Sequence, residues 1–362
     1  MDEQQNSLLR LHLTPGIGRI ALFKLHQYFG DFMAPLQAPP QYWQEAGLNT
    51  KLCSKIPNQT DLKFVRIRHK LEALKVRLIS FWDQDYPPLL REIHDPPALL
   101  YLRGKMPTKE CFAIVGSRRA TAGGLLFSKD MAATLANHNI CIVSGLARGV
   151  DSAAHRGALE AKGSTIAVLG CGIDQVYPPE NSQLFREIHQ ANAIITEYPP
   201  ETPPLAGHFP GRNRIISGLS RGVLIIEAAG KSGSLITGDF ALEQGRELFA
   251  IPGSLQHPNS KGTNQLLKEG AQLVTEAADI LQALWPDLPS RKQRKQYNDF
   301  SLQLEEPALQ VYQLLGHEPR HSDEIARECG LTPMALSAIL LDLELRGGIK
   351  TLPGNNYIRE QI

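Results

Sequence analysis

Four short clusters carry side chains suited to holding an anion. In Ile114-Val-Gly-Ser-Arg-Arg-Ala-Thr, Gly116 ends an apolar run and Arg118 follows two residues later. A dinucleotide site at such a turn needs G-x-G-x-x-G. Arg118 takes the place of the second glycine, so the pyrophosphate cradle is broken and a guanidinium stands where a phosphate would lie. The bland alternative pairs Arg118 with a carboxylate at a sheet edge. In Ser144-Gly-Leu-Ala-Arg-Gly-Val-Asp-Ser-Ala-Ala-His, Gly145 and Gly149 permit a tight loop, Asp151 or Ser152 can cap a helix, and Arg148 adds a second cation. His155 has no nucleophile beside it and reads as structural.

The third cluster is the densest. Gly207-His-Phe-Pro-Gly-Arg-Asn-Arg places Phe209, Arg212 and Arg214 within six residues. A ring beside two guanidiniums suits single-stranded nucleic acid, whose bases stack on rings and whose phosphates pair with arginine. Either arginine serves equally well as a buried ion-pair partner. The fourth cluster, Gly230-Lys-Ser-Gly-Ser, lacks the G-x-x-x-x-G-K-[ST] spacing of a nucleotide-binding P-loop. Lys231 and the backbone amides from Ser232 to Ser234 still make an anion site at a helix start. No H-E-x-x-H, G-x-S-x-G or zinc spacing is present, and Glu197, Glu227 and Asp239 form no recognisable acid–base pair. No catalytic residue, metal or cofactor is therefore expected.

The elements that must position these clusters are strand-length apolar runs at Cys111–Val115, Ile140–Val143, Thr165–Leu169, Ala193–Thr196, Val223–Ile226, Leu248–Ile251 and Gln272–Thr275. Helix-like segments separate most of them. That alternation predicts an α/β chain with a doubly wound, Rossmann-like core over 108–285, its parallel sheet covered on both faces. Ligands of such sheets sit beyond the carboxyl ends of the strands.

On the amino-terminal side, residues 1–80 read as a helical domain. Thr14-Pro-Gly-Ile-Gly between two helices suggests a helix-hairpin-helix (SAM-like) unit, or an ordinary helical turn. Residues 81–107 read as an extended, proline-rich connector that straps this domain to the core, because proline excludes helix there. Residues 286–300 read as a linker with four basic residues in 291–295, either a solvated hinge or a nucleic-acid contact. Residues 301–362 suggest three helices and a hairpin, a winged helix, with Ser322 and Thr332 as helix caps. Its third helix, Pro333–Arg346, carries one basic and two acidic residues. Base readout wants Arg, Lys, Asn or Gln, so protein contact or a structural role is the preferred reading.

Composition bounds the rest. The 362 residues are 42% hydrophobic and 21% charged, as expected of a folded multidomain protein. Net charge is +4 over 1–110, −1 over 111–285 and −2 over 286–362, so no segment is a basic coat and only a local cluster can serve nucleic acid. No apolar run approaches a membrane span, no secretory signal is visible, and Cys53, Cys111, Cys141, Cys171 and Cys329 form no C-x-x-C pair. A cytoplasmic protein with reduced thiols is the expectation.

Taken in order, Gly-Ser-Arg (116–118), Ser-Gly-Leu-Ala-Arg-Gly-Val-Asp (144–151), Phe-Pro-x-Arg-Asn-Arg-Ile-Ile-Ser-Gly-Leu (209–219) and Lys-Ser-Gly-Ser-x-x-Thr (231–237) resemble the DNA-processing protein A family, DprA or Smf. The resemblance is strong over 85–285. Val150 stands where isoleucine is commoner, which changes nothing. It implies a non-catalytic protein that binds incoming single-stranded DNA and loads RecA recombinase onto it during natural transformation, acting as a homodimer. Motif position puts Arg118, Phe209, Arg212, Arg214 and Lys231 in the DNA pocket. Arg148 and Ser232 join them from the cluster chemistry. For the dimer, the final strand is expected at the sheet edge, with Leu266 or Leu267 projecting outward. A different class of reading, a nucleotide-binding phosphoribohydrolase, requires a P-G-G-x-G-T-x-x-E loop. The stretch Ala229–Thr237 lacks its glutamate and adds Lys231. A ligand-sensing winged-helix regulator is disfavoured by the acidic third helix.

Overall fold

The computed structural model describes residues 1–288, 304–316 and 318–359. Two compact units divide the chain: residues 1–120 with 128–284, and residues 121–127 with 285–362. The basic stretch 291–295 lies outside the described residues.

The first unit is built on nine strands: β1 Arg77–Ser80, β2 Leu99–Gly104, β3 Cys111–Gly116, β4 Cys141–Ser144, β5 Thr165–Val168, β6 Ala193–Thr196, β7 Gly222–Ile226, β8 Glu247–Ala250 and β9 Gln272–Leu273. Their order is β1-β2-β6-β5-β4-β3-β7-β8-β9. From β6 to β9 every pairing is parallel, while β1–β2 and β2–β6 are antiparallel. The chain steps outward from β3 to β6, then returns to the other side of β3 with β7. Strand order reverses there, as in doubly wound folds. All five residues of β7 are buried, which a strand covered on both faces requires.

Alternation along the strands divides the core in two. Ile166 and Val168 of β5 face one cluster with Ile195, Ile215 and Val223. Ala167 faces the other, with Ile194 and Tyr101. That second cluster also contains Leu8, Leu9, Leu22, Leu25, Trp43 and Phe64 of the amino-terminal helices. These helices therefore share the core of the sheet.

The connector differs from the expectation for 81–107. It contributes β2, an interior strand of the sheet, and Pro88–Arg91 form one turn of helix. Pro88 is tolerated because it sits in the first turn, where the missing N–H has no intrahelical partner anyway. The glycine-rich turn does join two helices, Glu3–His12 and Arg19–Phe29, with Gly16 at φ +93°. Arg19 is ion-paired with Asp95, so the cation beside this turn points into the protein's own network.

Strand β9 is at the edge of the sheet, but the leucines before it do not project outward. Leu266 is 6% exposed in the core, and Leu267 is half-buried against the same cluster. An apolar helix stripe 100° or more wide accommodates both neighbours. Leu273 on β9 is the exposed one, at 54%.

The second unit contains helices Ala308–Leu314, Ser322–Cys329 and Pro333–Leu345 and a three-stranded sheet of β10 Arg320–His321, β11 Ile349–Leu352 and β12 Asn356–Arg359, in the order β10-β12-β11. This is a winged helix. Thr332 caps the third helix through Ala335 N at 3.3 Å. His321, not Ser322, caps the second. The outer face of the third helix exposes Met334, Leu341 and Leu345, groups that read no base edge.

Candidate nucleic-acid interface

A cleft opens where β3, β4 and β5 end, lined by Arg118, Arg148, Tyr177, Phe209 and Arg212. Arg118 follows β3, Arg148 follows β4, and Tyr177 is in the loop after β5. Phe209 and Arg212 belong to the first turns of the helix His208–Gly218. Two glycines let that helix dock. A Cβ on Gly145 would lie 2.4 Å from Nη1 of Arg212, and one on Gly170 would lie 2.8 Å from the Phe209 ring. These glycines thus seat an arginine and a ring; they do not cradle a pyrophosphate.

Arg212 forms the floor. It is 3% exposed, and its Nη1 donates to Gly145 O at 2.7 Å and also to Val168 O, tying the ends of β4 and β5 together. Its Nε has no hydrogen-bond partner among the described residues. Asp151 lies close by and accepts from Gly145 N at 3.1 Å and Ala147 N at 3.4 Å. Burial pushes the Asp151 carboxyl up, and Arg212 with the two amides opposes it. Burial likewise lowers the Arg212 guanidinium, and Asp151 opposes that shift. The floor is a cation held in low dielectric, where its field is weakly screened.

The cations at the rim are exposed. Arg118 lies over Phe209, 5.4 Å from the ring centroid. Arg148 is ion-paired with Glu180. Lys231 and Ser232 are outside the cleft lining, in the loop after β7. Ser232 Oγ caps the helix Gly233–Glu243 through Ser234 N at 3.3 Å. Asn213 Nδ2 donates to Gly233 O at 3.2 Å, so this helix start adjoins the helix carrying Phe209.

Arg214 is a correction. It is 6% exposed, its two terminal nitrogens each donate at 2.7 Å to one oxygen of Glu197, and its Nε donates to Asp95 at 3.1 Å. Two residues along a helix is about 200° of rotation, so Arg212 and Arg214 face opposite sides. The first reaches the cleft and the second is a buried structural cation. Tyr177, in turn, escaped the sequence reading. Its only signal was an aromatic-proline pair, Tyr177-Pro178, in a loop at the right end of the sheet.

At the reversal of strand order, where doubly wound sheets take nucleotides, Glu227 follows β7. It is 8% exposed at φ +51° and accepts from Asn259 Nδ2 at 3.3 Å. A carboxylate fixed there opposes a nucleotide phosphate. Among the described residues no group of His, Cys, Asp and Glu is arranged to hold a metal, and no helix is long and apolar enough to cross a membrane.

Residues 77–285 match the family model of DNA recombination-mediator protein A, and residues 301–355 match that of the DprA winged helix domain. The chain belongs to the DprA family. It is 40% identical to Protein Smf of Escherichia coli K12 over 297 residues, 80% of this chain and 79% of that protein. It is 45% identical to DNA processing protein DprA of Streptococcus pneumoniae R6 over 212 residues, 58% of this chain and 75% of that one. The X-ray structure of Streptococcus pneumoniae DprA superposes with a TM-score of 0.68 at 35% identity, covering 78% of this chain and 99% of that one. Helicobacter pylori DprA, whose structure addresses its single-stranded DNA binding mode, gives 0.54 at 33% identity and covers 59% of this chain and 98% of that one. Like these relatives, the chain is a DNA-processing protein.

Proposed function

We propose that this DprA-family chain binds single-stranded DNA in the cleft at the ends of β3, β4 and β5 and delivers it to RecA recombinase, working as a homodimer without catalysing a reaction. The observation that carries the reading is the meeting of Phe209 with Arg118, Arg148 and the buried Arg212 at one end of the sheet. A ring for a base and cations for the adjoining phosphates are what sequence-tolerant single-strand binding needs. The relative from Helicobacter pylori, described by its single-stranded DNA binding mode, supports the same assignment. Delivery to RecA rests on membership of a family described as recombination mediators. The loop Ala229–Thr237, which lacks the glutamate of the phosphoribohydrolase motif and carries Lys231, argues against that reading.

Binding to random single-stranded and duplex DNA across a salt series tests it. Arg118→Ala and Lys231→Ala should each weaken single-strand binding and flatten the log–log salt slope by about 0.7. Phe209→Ala should cost about 1–3 kcal/mol. RecA delivery should fall with affinity in the same variants. Wild-type affinity and slope in both cation variants would remove the cleft from consideration.

The dimer contact is assigned to the β9 edge and its exposed Leu273, in an isologous pairing. Leu273→Arg should sediment as a folded monomer. A folded variant that keeps the wild-type mass would place the contact elsewhere.

A further inference from the structure

We infer that Tyr177 is a second stacking ring, so that the cleft holds two bases side by side, one on Phe209 and the next on Tyr177. The inference rests on the single-strand reading above and extends it to a residue that no DNA contact had been assigned to. The two ring centroids are 5.5 Å apart and the planes meet at 34°. At that separation the rings touch one another and leave no room for a base between them. Each ring must therefore offer its own outer surface. Phe209 has less to offer in the free protein, being half-buried against Gly170 with the Arg118 guanidinium above it. Tyr177 is 38% exposed and is the more open of the two.

The loop that carries Tyr177 is anchored at both ends. Before it, Thr196 Oγ1 donates to Cys171 O at 2.9 Å and Gly172 N donates to Thr202 O at 2.9 Å. After it, Asn181 Nδ2 donates to Leu146 O and to Ser152 Oγ, both at 2.9 Å. A ring on a fixed loop loses little freedom when it stacks, which favours binding. Each ring also has an exposed cation beside it. Arg118 lies over Phe209, and Arg148 lines the cleft beside Tyr177, held meanwhile by Glu180. Ring and cation thus occur twice, in the pattern of two successive nucleotides.

The test compares the full-length protein with Tyr177→Ala, Tyr177→Phe, Phe209→Ala and Arg118→Ala on two ligands: an oligothymidylate, and a strand of equal length made of abasic sugar-phosphates. If Tyr177 stacks a base, Tyr177→Ala should bind the oligothymidylate about 5- to 150-fold more weakly. It should bind the abasic strand like the wild type, whereas Arg118→Ala should lose affinity for both. Tyr177→Phe keeps the ring and should bind like the wild type, which assigns the loss to the ring and not to the hydroxyl. Equal losses for Tyr177→Ala on both strands would make the residue a structural one and overturn the inference. Wild-type binding by Tyr177→Ala, with Phe209→Ala and Arg118→Ala still impaired, would overturn it while leaving the cleft assignment standing. Wild-type binding by all three would overturn the cleft assignment and the inference together.

Discussion

Replacing Arg214 by methionine is expected to remove about 3–5 kcal/mol of stability, the usual cost of deleting one partner of a buried ion pair. Single-strand affinity of the protein that remains folded should stay within about twofold of wild type, since the Arg214 guanidinium is committed to Glu197 and Asp95 and does not line the cleft. The side chain is 7% exposed and Glu197, its bidentate partner, 19%. Methionine fills the space of the arginine stem but leaves the Glu197 carboxylate without a counter-charge. The damage reaches further than one pair. Asp95 binds both Arg214 and Arg19, so the chain Arg19–Asp95–Arg214–Glu197 runs from the amino-terminal helices to the end of β6. Lysine should restore little, because one ammonium cannot reproduce the planar fork that meets Glu197 at two points while Nε holds Asp95. Denaturant midpoints, with salt-dependent binding measured below the transition, separate the two roles. Arg118→Ala should show the opposite pattern, an almost unchanged midpoint and a flatter salt slope. A stable Arg214→Met protein that fails to bind single strands would return Arg214 to the DNA site.

The contrast between Arg212 and Arg214 shows where a sequence ceases to discriminate. Residue type and spacing marked both arginines, and both are buried cations in the folded chain. Which one faces the cleft depends on the start and phase of the helix His208–Gly218, and a Phe-Pro-Gly-Arg run with few apolar markers hides that phase. The parallel strands were plain because each is a short apolar run, covered on both faces and bounded by polar loops. β2 is equally buried over most of its length, yet the prolines before it suggested a connector, and its pairing with β6 is set by residues about 90 positions away. The edge position of β9 followed from its place at the end of the core segment. The burial of Leu266 did not, because a single apolar pair cannot reveal how wide a face the neighbouring sheet will cover. Tyr177 was missed because a ring in a loop is ordinary until another ring is brought within 5.5 Å of it.

His155 should make the core acid-labile, with about 3 kcal/mol of stability lost between pH 7 and pH 4.5 through this one group. The ring is fully buried in the helix Val150–Glu160. Thr165 Oγ1 donates to Ile142 O at 2.7 Å and so accepts from the His155 Nδ1–H, also at 2.7 Å. That fixes a neutral tautomer with a bare Nε2, which has no hydrogen-bond partner among the described residues. Burial first, then the nearby Arg212 and Arg156, lowers the folded-state pKa from 6.5 to about 3. With the folded value below the unfolded one, the unfolded chain takes up the proton first as pH falls. The contribution is complete above pH 6.5 and declines by about 1.4 kcal/mol per pH unit down towards pH 3. The consequence reaches the cleft, because Asp151 lies one turn earlier in the same helix and holds the amides of Gly145 and Ala147 against Arg212. His155→Leu removes the titrating group while Thr165 keeps its bond to Ile142 O. Denaturant stability of that variant should vary less between pH 7 and pH 4.5 than that of the wild type, by about 3 kcal/mol, whatever its absolute value at pH 7. Parallel pH profiles for the two proteins would mean that the buried ring does not stay neutral, and the assignment of its proton to Nδ1 would fall with it.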